Sequence, residues 1–344
     1  MHISLDLSPN ITQIILVRHG RSTYNDQQRY QGTSDAAVLN ETGWLQAQLI
    51  SECLPLKSID AVYASPLKRV QQTVEGMFSR IHRASSTTEP SSVALNGDSP
   101  TRAIGVETAT LPTPLGASFH TSLLLQEINL PDWHGLTYAE VKQRYPRDYE
   151  CWKHWPHNFQ QGNTYPVQDL YSRAQMFWKA MLPNHAGQTV LIVAHGGSNH
   201  ALISTALGLP PCTHHCLQQS NGGISLLEYD HLWQQFQLQT LNATQHLSEA
   251  LPKLKESKQG VRLLLIPVVE DAKRSDDSEA LPTAYRPLSD ALLSSLDLDY
   301  CVIQDSVSAQ SAAKVLLQNH SDLLQTRMPP EHLLMACQMT LTQH

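Results

Sequence analysis

The sequence predicts an α/β fold in which helices cover both faces of a mostly parallel sheet, with a smaller α/β part at the C-terminal end. Two observations predict the main sheet. Within the runs 11–17 and 189–194, residues 14–17 and 190–194 are continuously apolar and rich in Val and Ile, as in strands that are buried on both faces. Segments with helical spacing alternate with such runs, which is typical of strand–helix–strand units.

The elements are predicted in order along the chain. Four strands are expected near 11–17, 59–63, 189–194 and 223–229, and five helices near 41–54, 66–80, 138–145, 169–182 and 198–206. The side chain of Asn40 is expected to cap the first helix, because a side-chain oxygen at that position accepts from free backbone N–H groups. Ser65 and Pro66 are expected to open the second helix, since Ser caps helices and Pro is favoured at their first position.

The chain of 344 residues is long enough for two domains, because most domains hold about 100–200 residues. We assign residues 1–245 to the main domain and residues 246–344 to the smaller one. The stretch 83–121 is rich in Ser, Thr, Gly and Pro and predicts a flexible insertion in the main domain. It is either a lid over a site or a tolerated surface loop.

The first predicted strand delivers Arg18 and His19 into a turn at Gly20. Ligands of open α/β sheets bind beyond the carboxyl ends of such strands. Arginine offers a planar fork of donors suited to phosphate, and glycine allows the backbone to approach a ligand closely. The three residues therefore predict phosphoryl chemistry.

Further polar residues follow in an order that strengthens this prediction. Arg69 lies in the first turn of the second predicted helix, Glu127 lies in an apolar loop, and His195 ends the second buried strand. Taken singly, Glu127 is more typical of a helix-capping or loop carboxylate, and His195 is more typical of a core histidine. Together, two arginines, two histidines and one acid suit phosphoryl transfer, which needs mainly positioning and charge stabilisation. The candidate site comprises Arg18, His19, Asn25, Gln31, Gly32, Arg69, Glu127, His195 and Gly196.

These motifs are similar to those of the histidine phosphatase superfamily, also called phosphoglycerate mutase-like, over roughly residues 11–240. The resemblance implies that His19 attacks phosphorus and is transiently phosphorylated, and that Glu127 donates the proton. It implies that the phosphoryl group is surrounded by Arg18, Arg69 and His195, with Asn25, Gln31, Gly32 and Gly196 as further contacts. It implies no metal and no cofactor.

Most of the stretch 123–229 resembles the branch that contains plant 2-carboxy-D-arabinitol-1-phosphatase. That resemblance implies a phosphatase whose partner is a small phosphorylated metabolite, a sugar or sugar-acid phosphate. Two alternatives stay open. A phosphoglycerate mutase shares the first step, although the Glu-Arg-His-Tyr-Gly pattern of the mutases is missing around Glu127. A regulatory protein would bind a phosphorylated ligand without turnover.

Two runs in the C-terminal part resemble runs of the main domain. The run 259–268 resembles the first strand, but Pro267 and Val268 stand where that strand carries its arginine and histidine. The run 298–306 resembles 59–65 in the same way. Two explanations are open, a degenerate partial repeat without catalytic residues and a chance recurrence of short apolar runs.

Composition and charge argue against nucleic acid and membranes as partners. A net charge of −7 gives no basic surface for nucleic acid, and no run reaches the roughly 18 apolar residues of a membrane span. The first residues lack the basic start of a signal peptide, so we expect a cytoplasmic protein, with a homodimer as an open option. The Cys-Thr-His-His-Cys segment at 212–216 has no second cluster at zinc-finger spacing, and we expect it to bind no metal.

Overall fold

The computed structural model describes residues 8–85, 106–108, 117–215, 217–248, 300–304 and 324–328. The chain divides into two compact units, Met1–Leu254 and Lys255–His344.

The first unit is built on a seven-stranded sheet. Its strands are β1 (Ile11–Arg18), β2 (Ala61–Ala64), β3 (Val106–Thr108), β4 (Ser118–Ser122), β5 (Thr189–Ala194), β6 (Ile224–Asp230) and β7 (Gln235–Ala243). Their order across the sheet is β3-β4-β2-β5-β1-β6-β7. The four central strands β4, β2, β5 and β1 run parallel, while β3, β6 and β7 pair antiparallel to their neighbours at the two edges. The predicted mostly parallel sheet is confirmed.

Helices cover both faces of this sheet. They are α1 (Thr23–Asp26), α2 (Glu41–Cys53), α3 (Lys68–Ser85), α4 (Tyr138–Arg144), α5 (Pro146–His154), α6 (Pro166–Met181) and α7 (Gly196–Ala206). Side chains alternate between faces along a strand. Ile14 and Leu16 of β1 therefore join the core with α6 and α7, whereas Ile15 and Val17 join the core with α2 and α3. None of the helices in the described ranges is both long and apolar enough to cross a membrane.

Local sequence explains where several helices begin. Asn40 caps α2 as predicted, because its Oδ1 accepts from the backbone N–H of Gly43 at 2.8 Å. Ser65 does not cap α3, and this part of the prediction is wrong. Its backbone N–H continues the β2–β5 pairing by donating to the carbonyl of Val193, and α3 begins only at Lys68. The Ser65 side chain is thereby directed to the carboxyl end of the sheet.

Three strands of the main sheet, β3, β4 and β7, were not predicted, and β3 lies within the predicted insertion. Strand β4 has the mixed sequence Ser-Phe-His-Thr-Ser, in which only Phe119 and Ser122 are buried, so it lacks the apolar run of β1. Strand β7 lies at an edge, and its side chains alternate between exposed and partly buried along most of its length. Within the stretch 83–121, the structure describes the end of α3, strand β3 and most of β4, and the rest of the predicted insertion lies outside the described residues.

In the second unit the structure describes two strands, β8 (Tyr300–Gln304) and β9 (Leu324–Met328). They pair in parallel, with Tyr300 opposite Leu324. Strand β8 falls inside the predicted run 298–306. The predicted strand at 259–268 lies outside the described residues.

Candidate active site

The carboxyl ends of β1, β2 and β5 meet at one edge of the sheet. Because these strands are parallel neighbours, the residues that follow them converge there. The backbone N–H of His19 donates to the carbonyl of Ala194 at 2.9 Å. The rings of His19 and His195 face each other edge to face, with centroids 5.3 Å apart. The two histidines that the sequence singles out are therefore adjacent.

His19 presents an unprotonated ring nitrogen to this site. Its Nδ1 lies 2.7 Å from the carbonyl oxygen of Gly20. A carbonyl only accepts hydrogen bonds, so Nδ1 carries the proton and Nε2 keeps its lone pair. Burial, followed by the charges of Arg69 and Arg18, lowers the pKa of His19 well below its usual 6.5. The imidazole is accordingly neutral at pH 7 and suited to act as a nucleophile.

Two buried guanidinium groups flank His19. Arg69 donates from Nη1 to the carbonyl of Ser34 at 2.9 Å and from Nη2 to that of Gly32 at 2.8 Å. Arg18 donates from Nη1 to the carbonyl of Gln219. The Nε groups of both arginines are buried and have no hydrogen-bond partner among the described residues. Burial lowers the pKa of Arg69 to about 10, which still leaves it charged at neutral pH.

His195 is held by the side chain of Ser65. Its Nε2 lies 2.7 Å from Ser65 Oγ, and that oxygen also accepts from the backbone N–H of Leu67 at 3.4 Å. When the Ser65 hydroxyl donates this hydrogen bond to Nε2, the ring proton of His195 lies on Nδ1. Nδ1 is buried without a partner in the described part of the chain. Burial, then the charge of Arg69, lowers the pKa of His195 well below 6.5, so the ring is neutral at pH 7.

Glu127 reaches the same site from the loop after β4. Its Oε1 accepts from the backbone N–H of Ile128 at 2.9 Å, and its Oε2 accepts from that of Gly197 at 3.2 Å. In its ionised form Glu127 opposes the lowering of the pKa of both Arg18 and Arg69 by burial. Glu127 thus lies at the N-terminus of α7, next to His195 and Gly196, which the sequence predicts to bind phosphate.

Glycine is required at Gly197 by the position of Glu127. A Cβ atom there would lie 2.4 Å from Glu127 Oε1, far inside van der Waals contact. At the neighbouring Gly196 a Cβ would lie 3.2 Å from Arg18 Nε. Gly32 has a φ of +50°, a conformation that favours glycine, and a Cβ there would overlap the ring of His134.

Asn25 and Gln31 are joined to the loop that follows β1. The hydroxyl of Ser22 lies 2.9 Å from both Asn25 Oδ1 and Gln31 Oε1. Asn221 donates from Nδ2 to Asn25 Oδ1 at 3.1 Å and to the carbonyl of His19 at 3.2 Å. These contacts bring both residues beside the nucleophile, and their contact with substrate stays a prediction.

Three residues near the site have roles that sequence reasoning missed. Ser65 was predicted to start a helix, and no role was predicted for Asn221 or Arg173. Arg173 lies on α6 and contacts the backbone of the Glu127 loop. The Asn-Gly-Gly sequence at 221–223 indicates a turn, but the contacts of all three residues join distant parts of the chain.

The residues around Cys212 have a packing role in this structure. His214 and His215 lie against Trp152, with ring centroids 5.7 and 4.7 Å away, and His215 Nε2 donates to the Trp152 carbonyl at 2.7 Å. Among the described residues, no three His, Cys, Asp or Glu side chains are grouped so that they could hold a metal ion.

The sequence pattern of the histidine phosphatase superfamily (branch 1) matches residues 14–90 and 101–244. The chain belongs to this superfamily. It is 33% identical over 217 residues to 2-carboxy-D-arabinitol-1-phosphatase of Triticum aestivum, a match that covers 63% of this chain and 37% of the wheat protein. It is 27% identical over 241 residues to phosphoserine phosphatase 1 of Hydrogenobacter thermophilus, covering 70% of this chain and 96% of that protein. The chain therefore spans less than two fifths of the plant relative and nearly all of the bacterial one.

Solved structures of histidine phosphatase-like proteins share the fold. The YhfR protein of Bacillus stearothermophilus superposes with a TM-score of 0.55 at 22% identity, covering 69% of this chain and 99% of that one. The mycobacterial glucosyl-3-phosphoglycerate phosphatase solved with VO3 gives a TM-score of 0.52 at 22% identity, covering 67% and 98% of the two chains. The shared part corresponds to the size of the first unit.

Proposed function

We propose that this member of the histidine phosphatase superfamily is a phosphoric monoester hydrolase that acts on a small phosphorylated metabolite through a phosphohistidine at His19. The observation that carries the proposal is the state of His19. Its Nδ1 is tied to a carbonyl, its Nε2 keeps a lone pair, and its neutral ring lies beside the unpartnered donors of Arg18, Arg69 and His195. Such donors stabilise charge on the oxygens of a transferring phosphoryl group.

In the first step, Nε2 of His19 attacks phosphorus and the bond from phosphorus to the ester oxygen breaks. The departing oxygen takes a proton from the carboxyl group of Glu127, which leaves that group as a carboxylate. Arg18, Arg69 and the Nδ1–H of His195 donate to the phosphoryl oxygens. The product alcohol leaves, and His19 carries the phosphoryl group on Nε2.

In the second step, water attacks the phosphohistidine. The Glu127 carboxylate accepts a proton from that water as the new phosphorus–oxygen bond forms, and the phosphorus–nitrogen bond breaks. Inorganic phosphate leaves, and both His19 and Glu127 return to their starting states. The scheme calls for no metal ion.

The substrate class we propose is a sugar or sugar-acid phosphate. It is supported by the resemblance of residues 123–229 to the branch of the plant phosphatases and by the 33% identity to the wheat protein named for 2-carboxy-D-arabinitol 1-phosphate. Selectivity in this fold depends on the groups around the phosphate site. The phosphoserine phosphatase relative makes phosphoserine the necessary comparison substrate.

The proposal is tested by phosphate release from a panel without added metal. The panel holds 2-carboxy-D-arabinitol 1-phosphate, pentulose and hexose bisphosphates, phosphoserine and 3-phosphoglycerate. A preference for the sugar and sugar-acid phosphates, lost in His19→Ala, is the expected result. Isomerisation of 3-phosphoglycerate would make the protein a mutase. If the folded wild type released phosphate from none of the substrates, a regulatory protein would be favoured.

The role of Glu127 is tested by comparing substrates whose leaving groups differ in their need for a proton. Glu127→Gln is expected to lower kcat/KM for alkyl phosphates much more than for 4-nitrophenyl phosphate, because nitrophenolate departs without a proton. Equal losses on both substrates would rule out proton donation.

For residues 246–344 we propose a degenerate partial repeat without catalytic residues. The parallel pairing of β8 with β9 supports it, since β2 and β4 of the first unit form a parallel pair of the same kind. Because the proposed machinery lies wholly within the first unit, a chain ending at residue 248 is expected to keep its phosphatase activity. Loss of activity from a folded truncated chain would contradict this division of roles.

A further inference from the structure

Arg173 binds the backbone of the loop that carries Glu127. From helix α6, its Nη1 donates to the carbonyl of Gln126 at 2.8 Å and to that of Leu124 at 3.4 Å, and its Nη2 donates to the carbonyl of Glu127 at 3.3 Å. Its Nε donates to Asp169 Oδ2, one helical turn away, at 3.0 Å. The side chain of Arg173 is only 17% exposed. One guanidinium group therefore fixes three backbone carbonyls and is itself oriented by a carboxylate.

This loop depends on such contacts for its position. The residues from Gln126 to Leu130 lie between two short 3₁₀ turns, Leu123–Leu125 and Pro131–Trp133, and belong to no strand or helix. The Glu127 carboxylate itself is held by two backbone N–H groups. A proton donor must stay within hydrogen-bond reach of the departing oxygen, and a displacement of about 1 Å is enough to lower a rate by about 100-fold.

The chemistry of the contact suits arginine and no other residue. The planar guanidinium presents several N–H donors in fixed directions, whereas a lysine ammonium is a compact charge on a flexible stem. The N–H donors of the Arg173 guanidinium match the four acceptors around it, which are three backbone carbonyls and the carboxylate of Asp169. Its partly buried position protects these hydrogen bonds from competition with water.

We propose that Arg173 is a positioning residue for the proton donor, which fixes the backbone of Glu127 without touching the reacting atoms. The inference rests on the proposed phosphatase function. It assigns Arg173 an effect on the protonation of the leaving group and none on the attack by His19. The contribution of Arg173 to kcat/KM is therefore expected to disappear when the leaving group departs without a proton.

The kinetic test compares Arg173→Gln with Arg144→Gln, a control at an exposed arginine that also pairs with an acid one helical turn away. On the best alkyl phosphate of the panel, Arg173→Gln is expected to lower kcat and kcat/KM about 10- to 100-fold with little change in KM. On 4-nitrophenyl phosphate its kcat/KM stays near that of the wild type. Arg173→Lys recovers part of the loss, and Arg144→Gln behaves as the wild type.

A double-variant cycle with Glu127→Gln sharpens this test. If Arg173 acts through Glu127, adding Arg173→Gln to Glu127→Gln costs little more. Losses that multiply, or equal losses on alkyl and nitrophenyl phosphates, would overturn the proposal and indicate direct contact of Arg173 with the phosphoryl group.

A second measurement is independent of activity. Amide hydrogen exchange in peptides covering 123–134 is expected to accelerate in Arg173→Gln and to stay unchanged in Arg144→Gln, because only the first loses the carbonyl contacts. Asp169→Asn, which removes only the partner of Nε, gives a smaller acceleration and serves if Arg173→Gln does not fold. Unchanged exchange in these variants refutes the positioning role. An inactive wild type with the expected exchange pattern would refute the proposed function alone.

Discussion

Substitution of Gly197 by alanine separates catalysis from folding in this protein. The new Cβ would lie 2.4 Å from Glu127 Oε1, whereas ordinary contact begins near 3.4 Å, so the carboxylate must move by roughly 1 Å. The atom that moves is the end of a flexible side chain, and the next contact, with Leu170 Cδ2 at 3.4 Å, is already ordinary. A misplacement of this size is expected to lower kcat/KM for alkyl phosphates about 100-fold.

The stability of Gly197→Ala should change little. Displacing the carboxylate weakens its hydrogen bonds to Ile128 and Gly197, at about 1 kcal/mol each. Alanine restores part of this, because it is favoured over glycine within helices by about 0.5–1 kcal/mol. Urea unfolding is therefore expected to give a free energy of unfolding within about 2 kcal/mol of the wild type.

The assay is kcat/KM on an alkyl phosphate and on 4-nitrophenyl phosphate, since kcat/KM includes the steps up to leaving-group release. The loss is expected on the alkyl phosphate and not on the nitrophenyl ester. Gly196→Ala provides a graded comparison, because its Cβ approaches Arg18 to 3.2 Å and needs a shift of only a few tenths of an ångström. Full activity of Gly197→Ala on alkyl phosphates would refute the placement of Glu127. A loss of activity caused by unfolding would refute the expectation that this substitution impairs catalysis while leaving the fold intact.

The remaining predictions concern the two histidines. His19→Ala should abolish both phosphate release and labelling of the protein by ³²P-substrate without changing its circular dichroism, and residual labelling would move the nucleophile elsewhere. Ser65→Ala leaves Nε2 of His195 without its buried partner, which should lower the free energy of unfolding by about 1–3 kcal/mol and kcat/KM about 10-fold. An unchanged kcat/KM would show that Ser65 does not orient His195. Because the folded pKa of both histidines lies well below 6.5, the unfolded chain binds more protons below that pH, so the free energy of unfolding should fall as pH drops below about 6.5, by up to about 1.4 kcal/mol per pH unit for each histidine. His19→Ala should show a smaller slope, and a slope equal to that of the wild type would contradict the neutral burial of His19. The acid limb of kcat/KM should likewise lie below pH 6.5, since His19 stays unprotonated above its own lowered pKa.

The sequence predicted those parts of the fold and site that have a local signature. Strands β1 and β5 contain the continuously apolar runs 14–17 and 190–194 because both of their faces are buried, and each of the two histidines directly follows the end of its strand. Strand β4 carries no such run, because it takes its place through pairing with β2 and contributes few buried side chains.

The contacts of Ser65 and Arg173 had no local signature. Ser65 meets His195 across 130 residues of sequence, and the dipeptide Ser65-Pro66 is typical of a helix start. Arg173 forms an i,i+4 pair with Asp169 that is typical of a solvated helix face, while its contacts to the Glu127 loop span 46 to 49 residues. Such contacts follow from packing of the whole chain, which no short window of sequence records.

The two proposed catalytic side chains lie on segments that differ in the free energy of local opening. His19 follows one of the innermost strands of the sheet, whose hydrogen bonds break only when the whole unit unfolds. Glu127 lies on a segment outside any strand or helix, which opens at a much lower free energy. Mild denaturant or heat should thus leave an enzyme that still attacks activated esters but no longer protonates a poor leaving group. Partial loss of structure would change which substrates phosphorylate His19 before it abolished the attack itself.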